Sequence, residues 1–169
     1  MKRYVTIGIV LGSLVALGAT GCATGKQEKP QASVSQQQAA VSPEESVARR
    51  QRLMKLHGAL WKDIQDKAKA GNIEGIAPSA EALALNASRI PSLFPEGSLT
   101  EKSKAKPEIW QKWPEFQAAA KNFEMQAEKL RDASKAKNAE ETQAIVKDFG
   151  RQACGTCHQP FRVPPPRTG

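Results

Sequence analysis

The segment Cys154-Gly155-Thr156-Cys157-His158 has the residue types and the spacing that covalent haem attachment requires. Two thiols separated by two residues can add to the two vinyl groups of a haem, and the adjacent histidine is then held beneath the iron as its proximal ligand. On a helix the three side chains share one face. The motif therefore predicts one covalently bound haem c, with thioethers at Cys154 and Cys157 and iron ligation by His158.

Two other uses of a Cys-x-x-Cys pair suit this sequence less well. A thioredoxin-like redox pair is expected next to a βαβ pattern, which the sequence lacks. A structural zinc site needs four ligands. Outside the motif, only Cys22 and His57 remain as thiol or imidazole ligands, and Cys22 lies in a segment with almost no large apolar residues.

The other side of the iron has two candidate ligands, the Met54 thioether and the His57 imidazole. They are three residues apart in a helical pattern, so both can line one pocket. A methionine in an apolar stripe is more often core packing, and a buried histidine is more often hydrogen-bonded than metal-bound. From the residues alone, both the ligand and the core interpretation stay open at each position.

Helices must position these residues, because the sequence shows helical periodicity and no alternating strand pattern. Capping residues, prolines and apolar spacing predict four helices. They run from Pro43 to before Gly71, from about Pro78 to before Pro91, from about Lys112 to before Asn138, and from Ala139 to about Gln159. The predicted fold class is all-α, an antiparallel four-helix bundle over residues 43–162 with the haem near the C-terminal end of helix 4.

The two ends of the chain are predicted to lie outside this bundle. Residues 1–21 combine a basic start with a short apolar stretch and small residues, which is typical of an export signal peptide. Cys22 follows as in a bacterial lipoprotein and is predicted to carry a lipid. Residues 22–42 are polar and predict a flexible tether, and the proline-rich residues 163–169 predict a disordered tail.

Charge and export together limit the partners. The chain has a net charge of +8, but an exported protein would not meet nucleic acid. The lysines are interpreted as a solvated surface that can dock acidic redox partners. The predicted location is the periplasmic side of a bacterial membrane. The outer membrane is preferred, because the residues after Cys22 lack the aspartate that marks inner-membrane retention.

Several segments in order resemble the cytochrome c′ and cytochrome c-556 family, over residues 42–162. Residues 50–54 (RQRLM) are similar to the family's Arg-Gln-x-x-Met/Leu stretch on its first helix. Residues 93–98 (LFPEGS) and 106–110 (KPEIW) follow. The haem motif comes late in the chain and is followed by Phe161-Arg162, as in the family's Cys-x-x-Cys-His-x-x-Phe/Tyr-Arg/Lys.

The resemblance implies a left-twisted bundle with the haem inside one end, often as a homodimer. It places Arg162 near the proximal haem face, Arg50 near a propionate, and Met54 on the distal side of the iron. In c-556-type members a methionine ligates iron here, whereas in c′-type members a non-ligating residue leaves the iron five-coordinate. His57 departs from the apolar residue expected at its position and leaves a bis-histidine state open.

Electron transfer is the first functional hypothesis, because Met54 and His158 would fix both axial positions and raise the potential relative to two imidazoles. No acid–base pair or nucleophile stands out, so no enzymatic activity is expected. The alternative is a five-coordinate iron that binds nitric oxide or carbon monoxide. A third interpretation is a haem subunit that the lipid anchor delivers to a membrane complex.

Overall fold

A computed structural model of the protein describes residues 41–165. Its first helix, α1 (Pro43–Lys69), begins after Ser42, whose hydroxyl accepts a hydrogen bond from the Glu45 N–H at 3.1 Å. The helix ends just before Gly71, which has φ +71° and adopts this left-handed conformation without the strain of a Cβ. Both predicted ends of the first helix are confirmed.

The remaining helices follow the predicted order. They are α2 (Ala77–Ala87), α3 (Glu108–Gln111), α4 (Trp113–Lys135), α5 (Ala139–Phe149) and α6 (Gly155–Phe161). Asn138 caps α5 by accepting a hydrogen bond from the Glu141 N–H at 3.2 Å. One π turn, Gly150–Cys154, joins α5 to α6 without a break. The predicted fourth helix is therefore confirmed as one helical segment, although its π turn and the short α3 were not predicted.

Four helical segments form the antiparallel bundle: α1, α2, α4, and α5 with α6. The most extensive contact is between α2 and α4. The centre of the bundle is apolar, and many side chains there are small enough to let the helix backbones approach closely. Fully buried residues in this core are Ile64, Ala80, Ala87, Ala127 and Leu130. The all-α, four-helix-bundle prediction is confirmed.

The link between α2 and α4 is tied to the end of the haem motif. Residues 104–106 lie antiparallel to residues 161–163, with Ala105 opposite Arg162. The Lys106 N–H donates to the Phe161 carbonyl at 2.9 Å, and the Val163 N–H donates to the Lys104 carbonyl at 2.8 Å. This pairing fixes part of the long link beside α6.

Residues 1–40 and 166–169 lie outside the described range, so the predictions for the signal peptide, for Cys22, for most of the tether and for the end of the tail fall there. Among residues 41–165, no helix is both long enough and apolar enough to cross a membrane.

Candidate haem site

The haem motif lies where the π turn passes into α6. Cys154 ends the π turn, and Cys157 and His158 lie on α6. The Thr156 hydroxyl donates to the Ala153 carbonyl at 2.7 Å. Single π turns within helices occur often at functional sites, because they change which residues face inward. Here both thiols and the imidazole line one cavity, as the motif predicts.

The Cys154 and Cys157 side chains are each partly buried. Burial raises the pKa of the Cys157 thiol to about 11 and also raises the pKa of Cys154. Redox-active Cys-x-x-Cys pairs have a lowered thiol pKa, because the thiolate is the reactive species. The direction of both shifts argues against a thioredoxin-like role for this pair.

The cavity has a volume of about 550 Å³, which lies within the range of protein sites that enclose a cofactor or ligand. Helices α1, α2, α4, α5 and α6 all contribute to its wall. Most of the wall is apolar and much of it is aromatic. Its aromatic residues are Trp61, Phe94, Phe116, Phe123, Phe149 and Phe161. Helical periodicity predicts that such a residue is buried but not what it is buried against.

Both candidate distal ligands line this cavity from α1. Met54 is half-buried and packs against the core. His57 is 8% exposed, and its ring stacks on Phe123 with 5.2 Å between centroids and 11° between planes. The His57 Nε2 is buried and has no hydrogen-bond partner among the described residues. Burial, and secondarily the charge of His158, lowers the pKa of His57 to about 4, so its imidazole is neutral at pH 7.

His158 lines the cavity from a different helix and remains partly open to solvent. Desolvation in this setting lowers the pKa of His158, and the charge of Arg162 lowers it further. A neutral imidazole is the form that binds a metal. The environment of His158 therefore suits the ligand role that the motif predicts.

Arg50 lines the cavity but is already held by the link that follows α2. It is 5% exposed, and its two terminal nitrogens donate to the Leu93 carbonyl, to the Ser98 hydroxyl and carbonyl, and to the Ser103 hydroxyl, at 2.6 to 3.3 Å. Its guanidinium carbon lies 4.8 Å from the centre of the Phe94 ring. A contact between Arg50 and a haem propionate stays a prediction, and it would use Nε or replace one of these bonds.

Within the described part of the chain, the charged side chains that line the cavity are all cations. Besides Arg50 they are Lys55, Lys104 and Arg162, which are exposed. We call these three residues the basic rim. Neither Lys55 nor Lys104 is predicted at this site from the sequence. Lys104 reaches the cavity only through the pairing of its segment with residues 161–163. A haem carries two carboxylates, and a cavity edge with cations and no carboxylate is complementary to them.

The residues present therefore fit a covalently attached haem. Two cysteines and one histidine with the spacing of an attachment motif line an apolar cavity that has a basic rim. His57 also lines it, and its buried Nε2 has no hydrogen-bond partner among residues 41–165. In the described part of the chain, no cluster of three or more His, Cys, Asp or Glu side chains could hold a bare metal ion.

Comparison with known proteins agrees with this site. Residues 45–162 match the family model described as Cytochrome C′. The chain belongs to the cytochrome c′ family. Members of this family bind one covalent haem c with its iron, and the two cysteines near the C-terminus of this chain fit that attachment. The family and cofactor predictions are confirmed.

The curated relative cytochrome c-554 of Cereibacter sphaeroides is 37% identical over 75 residues, which are 43% of this chain and 48% of that protein. The match thus spans about half of the relative's length.

Solved cytochrome c′ structures resemble the bundle. One, described as having ligand-controlled dimer dissociation, is 26% identical with a TM-score of 0.68, and the match covers 75% of this chain and all of that chain. Cytochrome c′ from Thermochromatium tepidum is 25% identical with a TM-score of 0.65, covering 73% and 98%. A nitrosyl complex of a cytochrome c′ variant from Alcaligenes xylosoxidans is 25% identical with a TM-score of 0.64, covering 72% and 97%.

Proposed function

We propose that this cytochrome transfers electrons and does not act as an enzyme. The observation that carries the proposal is that α1 brings two side chains able to ligate iron, Met54 and His57, to the cavity that contains His158. When bound, the haem supplies one-electron chemistry between ferrous and ferric iron. If His158 and one of these α1 side chains held the iron, its protein ligands would stay the same in both oxidation states.

The protein surface at the cavity supports exchange with a partner of negative charge. Lys55, Lys104 and Arg162 are exposed there, and no carboxylate from residues 41–165 lines the same cavity. Such a one-sign patch steers an oppositely charged partner toward the cavity and raises the association rate at low salt. We therefore propose an acidic redox protein, in the periplasm or at a membrane, as donor or acceptor.

Oxidation of the reduced holoprotein by an anionic iron complex tests both the electron transfer and the docking of a negatively charged partner at the basic rim. We expect Lys55→Glu and Lys104→Glu to lower the second-order rate several-fold at low salt, and the difference to vanish at high salt because ions screen the rim. Lys69→Glu, at the other end of α1, makes the same charge change and should leave the rate close to wild type. Equal effects of all three variants would contradict a docking role for the rim.

Binding of a diatomic gas is the second candidate function. The cavity wall is mainly apolar, and the Alcaligenes xylosoxidans relative is described in a nitrosyl complex. Under this alternative Met54 and His57 do not ligate the iron, and nitric oxide or carbon monoxide takes the distal position. A high-spin spectrum of the ferrous protein, with rapid carbon monoxide binding, would favour it over electron transfer.

We further propose that the mature protein is attached through a lipid on Cys22 to the periplasmic face of a bacterial membrane, with the outer membrane preferred. The support is the sequence of residues 1–22, with its basic start, apolar stretch and small residues before the cysteine. Mass spectrometry of the mature N-terminus should find a diacylglyceryl group on Cys22. An unmodified N-terminus cleaved elsewhere would refute the anchor.

A homodimer is proposed from two observations. One structural relative is described as a dimer whose dissociation depends on ligand. In this chain Leu56 on α1 and Leu85 on α2 are 45% and 65% exposed, so each helix offers an apolar contact outside the core. Sedimentation of wild type against Leu56→Lys/Leu85→Lys should show a dimer that the double variant loses. A monomeric wild type at all concentrations would contradict this proposal.

A further inference from the structure

The π turn that leads into the haem motif changes the hydrogen bonding of its own backbone. The Gly155 N–H bonds to the Gly150 carbonyl, five residues back, whereas an α-helix would direct it to the carbonyl of residue 151. Such a change of spacing disturbs the regular pairing of the neighbouring carbonyls, which other donors can then complete. Side chains around this turn therefore have a part in holding it.

Two side-chain donors meet successive carbonyls of the π turn. The Thr156 hydroxyl donates to the Ala153 carbonyl at 2.7 Å. The Asn122 side-chain amide donates to the Gln152 carbonyl at 2.6 Å. The bond of Thr156 is local, because this residue belongs to the haem segment itself. Asn122 lies on α4, 30 residues earlier in the chain, so its bond fixes the π turn against a different helix.

This bond is made directly beside the cavity wall. The residue after Asn122 on α4, Phe123, lines the cavity, as do Ala153 and Cys154. Ala153 has no exposed area, so the chain next to the bond is tightly packed. A shift of the π turn along α4 would therefore move the Cys154 thiol relative to the cavity.

The far end of the haem segment is held by the pairing of residues 104–106 with residues 161–163. Between the two attachment points lies α6, which is seven residues long and contains Pro160. Proline has no N–H, so α6 has one internal hydrogen bond fewer than its length allows. A helix this short keeps its place through contacts with its surroundings, and His158 lies in it.

We propose that Asn122 is a positioning residue of the haem site, which holds Cys154 and His158 in place along α4 through the Gln152 carbonyl. Asn122 is not among the residues that line the cavity, so it acts through the π turn. Supporting contacts of this kind keep ligand side chains in the orientation that binding needs. The inference goes beyond the proposed function, because the same positioning is needed whether the iron transfers electrons or binds a gas.

Variants of the ferric holoprotein test this role with two measurements. Proton NMR shifts of the haem methyl groups respond to the orientation of the proximal imidazole, and hydrogen exchange reports the local stability of residues 153–158. We expect Asn122→Ala to move the methyl shifts and to speed up exchange about fivefold, for the loss of one hydrogen bond. Asn86→Ala, whose amide donates to the Ala82 carbonyl of its own helix, is the matched control and should leave both at wild-type values.

A second variant, Asn122→Asp, gives a signature of the hydrogen bond itself. An ionised carboxylate cannot donate to the Gln152 carbonyl, but the protonated acid can. The methyl shifts of this variant should therefore differ from wild type at neutral pH and approach the wild-type shifts as the carboxyl is protonated.

Three results would overturn the positioning role. They are wild-type methyl shifts in Asn122→Ala, faster exchange there without any change in the shifts, and a difference between Asn122→Asp and wild type that does not depend on pH. Each comparison is made against wild type in the same spin state, so failure here leaves both electron transfer and gas binding standing.

Discussion

The two ends of the bundle differ in how completely the protein's own side chains fill the interior. At the closed end, which comprises the second half of α1, the start of α2, the end of α4 and the start of α5, the core side chains include Ile64, Ala80 and Leu130 with no exposed area. At the cavity end, the aromatic wall surrounds about 550 Å³, and the buried His57 Nε2 has no hydrogen-bond partner in the described part of the chain. The closed end is a fully packed core, whereas the cavity end has room for the haem.

Polar contacts differ only in part between the two ends. At the closed end the Gln143 amide donates to the Ala68 carbonyl at 2.8 Å, the Ser134 hydroxyl donates to the Leu130 carbonyl at 2.7 Å, and Lys137 pairs with Glu74 at 2.9 Å. The buried Thr142 hydroxyl, which has no partner, is an exception there. At the cavity end the basic rim faces no lining carboxylate. Arg50 nevertheless makes four hydrogen bonds at the cavity end. Both ends therefore stabilise the fold, whereas only the cavity end is suited to hold a cofactor.

Among the predictions, removal of the two attachment thiols should have the largest effect, because it removes the covalent haem from the cavity end. We expect Cys154→Ser/Cys157→Ser to abolish covalent haem, so that denatured protein loses the mass of one haem, while Cys22→Ser retains it. Intact-mass spectrometry and haem staining of denaturing gels measure the difference. Covalent haem on the double variant would contradict the assignment of the motif.

A cavity at the closed end should destabilise the fold without altering the haem site. Leu130 is fully buried in the core, so Leu130→Ala is expected to lower the free energy of unfolding by about 2–5 kcal/mol. The same substitution at Leu99, which is 44% exposed, should change it by less than about 0.5 kcal/mol. Denaturant unfolding measures both, and absorption spectra should be unchanged. A spectral change in Leu130→Ala would mean that the two ends are coupled.

Substitution of Arg50 tests how the link beside the cavity, residues 93–103, is held in place. Its guanidinium holds residues 93–103 through charged hydrogen bonds, and a lysine cannot reproduce this planar fork. We expect Arg50→Lys to cost about 2 kcal/mol and to raise amide exchange across residues 93–105. Arg52→Lys, whose guanidinium pairs with Glu45 on the surface, is the matched control. Unchanged amide exchange in Arg50→Lys would show that the link keeps its structure without the Arg50 hydrogen bonds.

The smallest expected effect is pH-dependent and belongs to the closed end. Hydrogen bonds from Lys67 and then Ser79 lower the pKa of the Asp63 carboxyl. Because its pKa is lower in the folded state, Asp63 stabilises the fold above its ordinary pKa, and this contribution is lost as pH falls through the lowered value. The pair is largely exposed, so we expect less than about 1 kcal/mol. Asp63→Asn should reduce the acid dependence of unfolding, and an unchanged dependence would contradict this reading.

Local signals in the sequence predicted most of the fold. Ser42 and Asn138 mark helix starts through their own capping geometry, and the haem motif marks its own chemistry. The Arg50–Ser98 contact spans 48 residues, and the pairing of residues 104–106 with 161–163 spans more than 50 residues. Neither contact can be predicted from the hydrophobic periodicity, because that pattern describes each helix separately. The basic rim and the orientation of His57 depend on such contacts, so only the structure could show them.

The most direct test of electron transfer is the rate at which carbon monoxide binds the reduced wild-type holoprotein. If a side chain of α1 holds the distal position, the ferrous spectrum is low spin and the binding rate reaches a plateau as carbon monoxide is increased, because departure of that side chain limits the rate. A high-spin ferrous spectrum, with a rate that rises in proportion to carbon monoxide throughout, would contradict the account and identify a gas-binding protein.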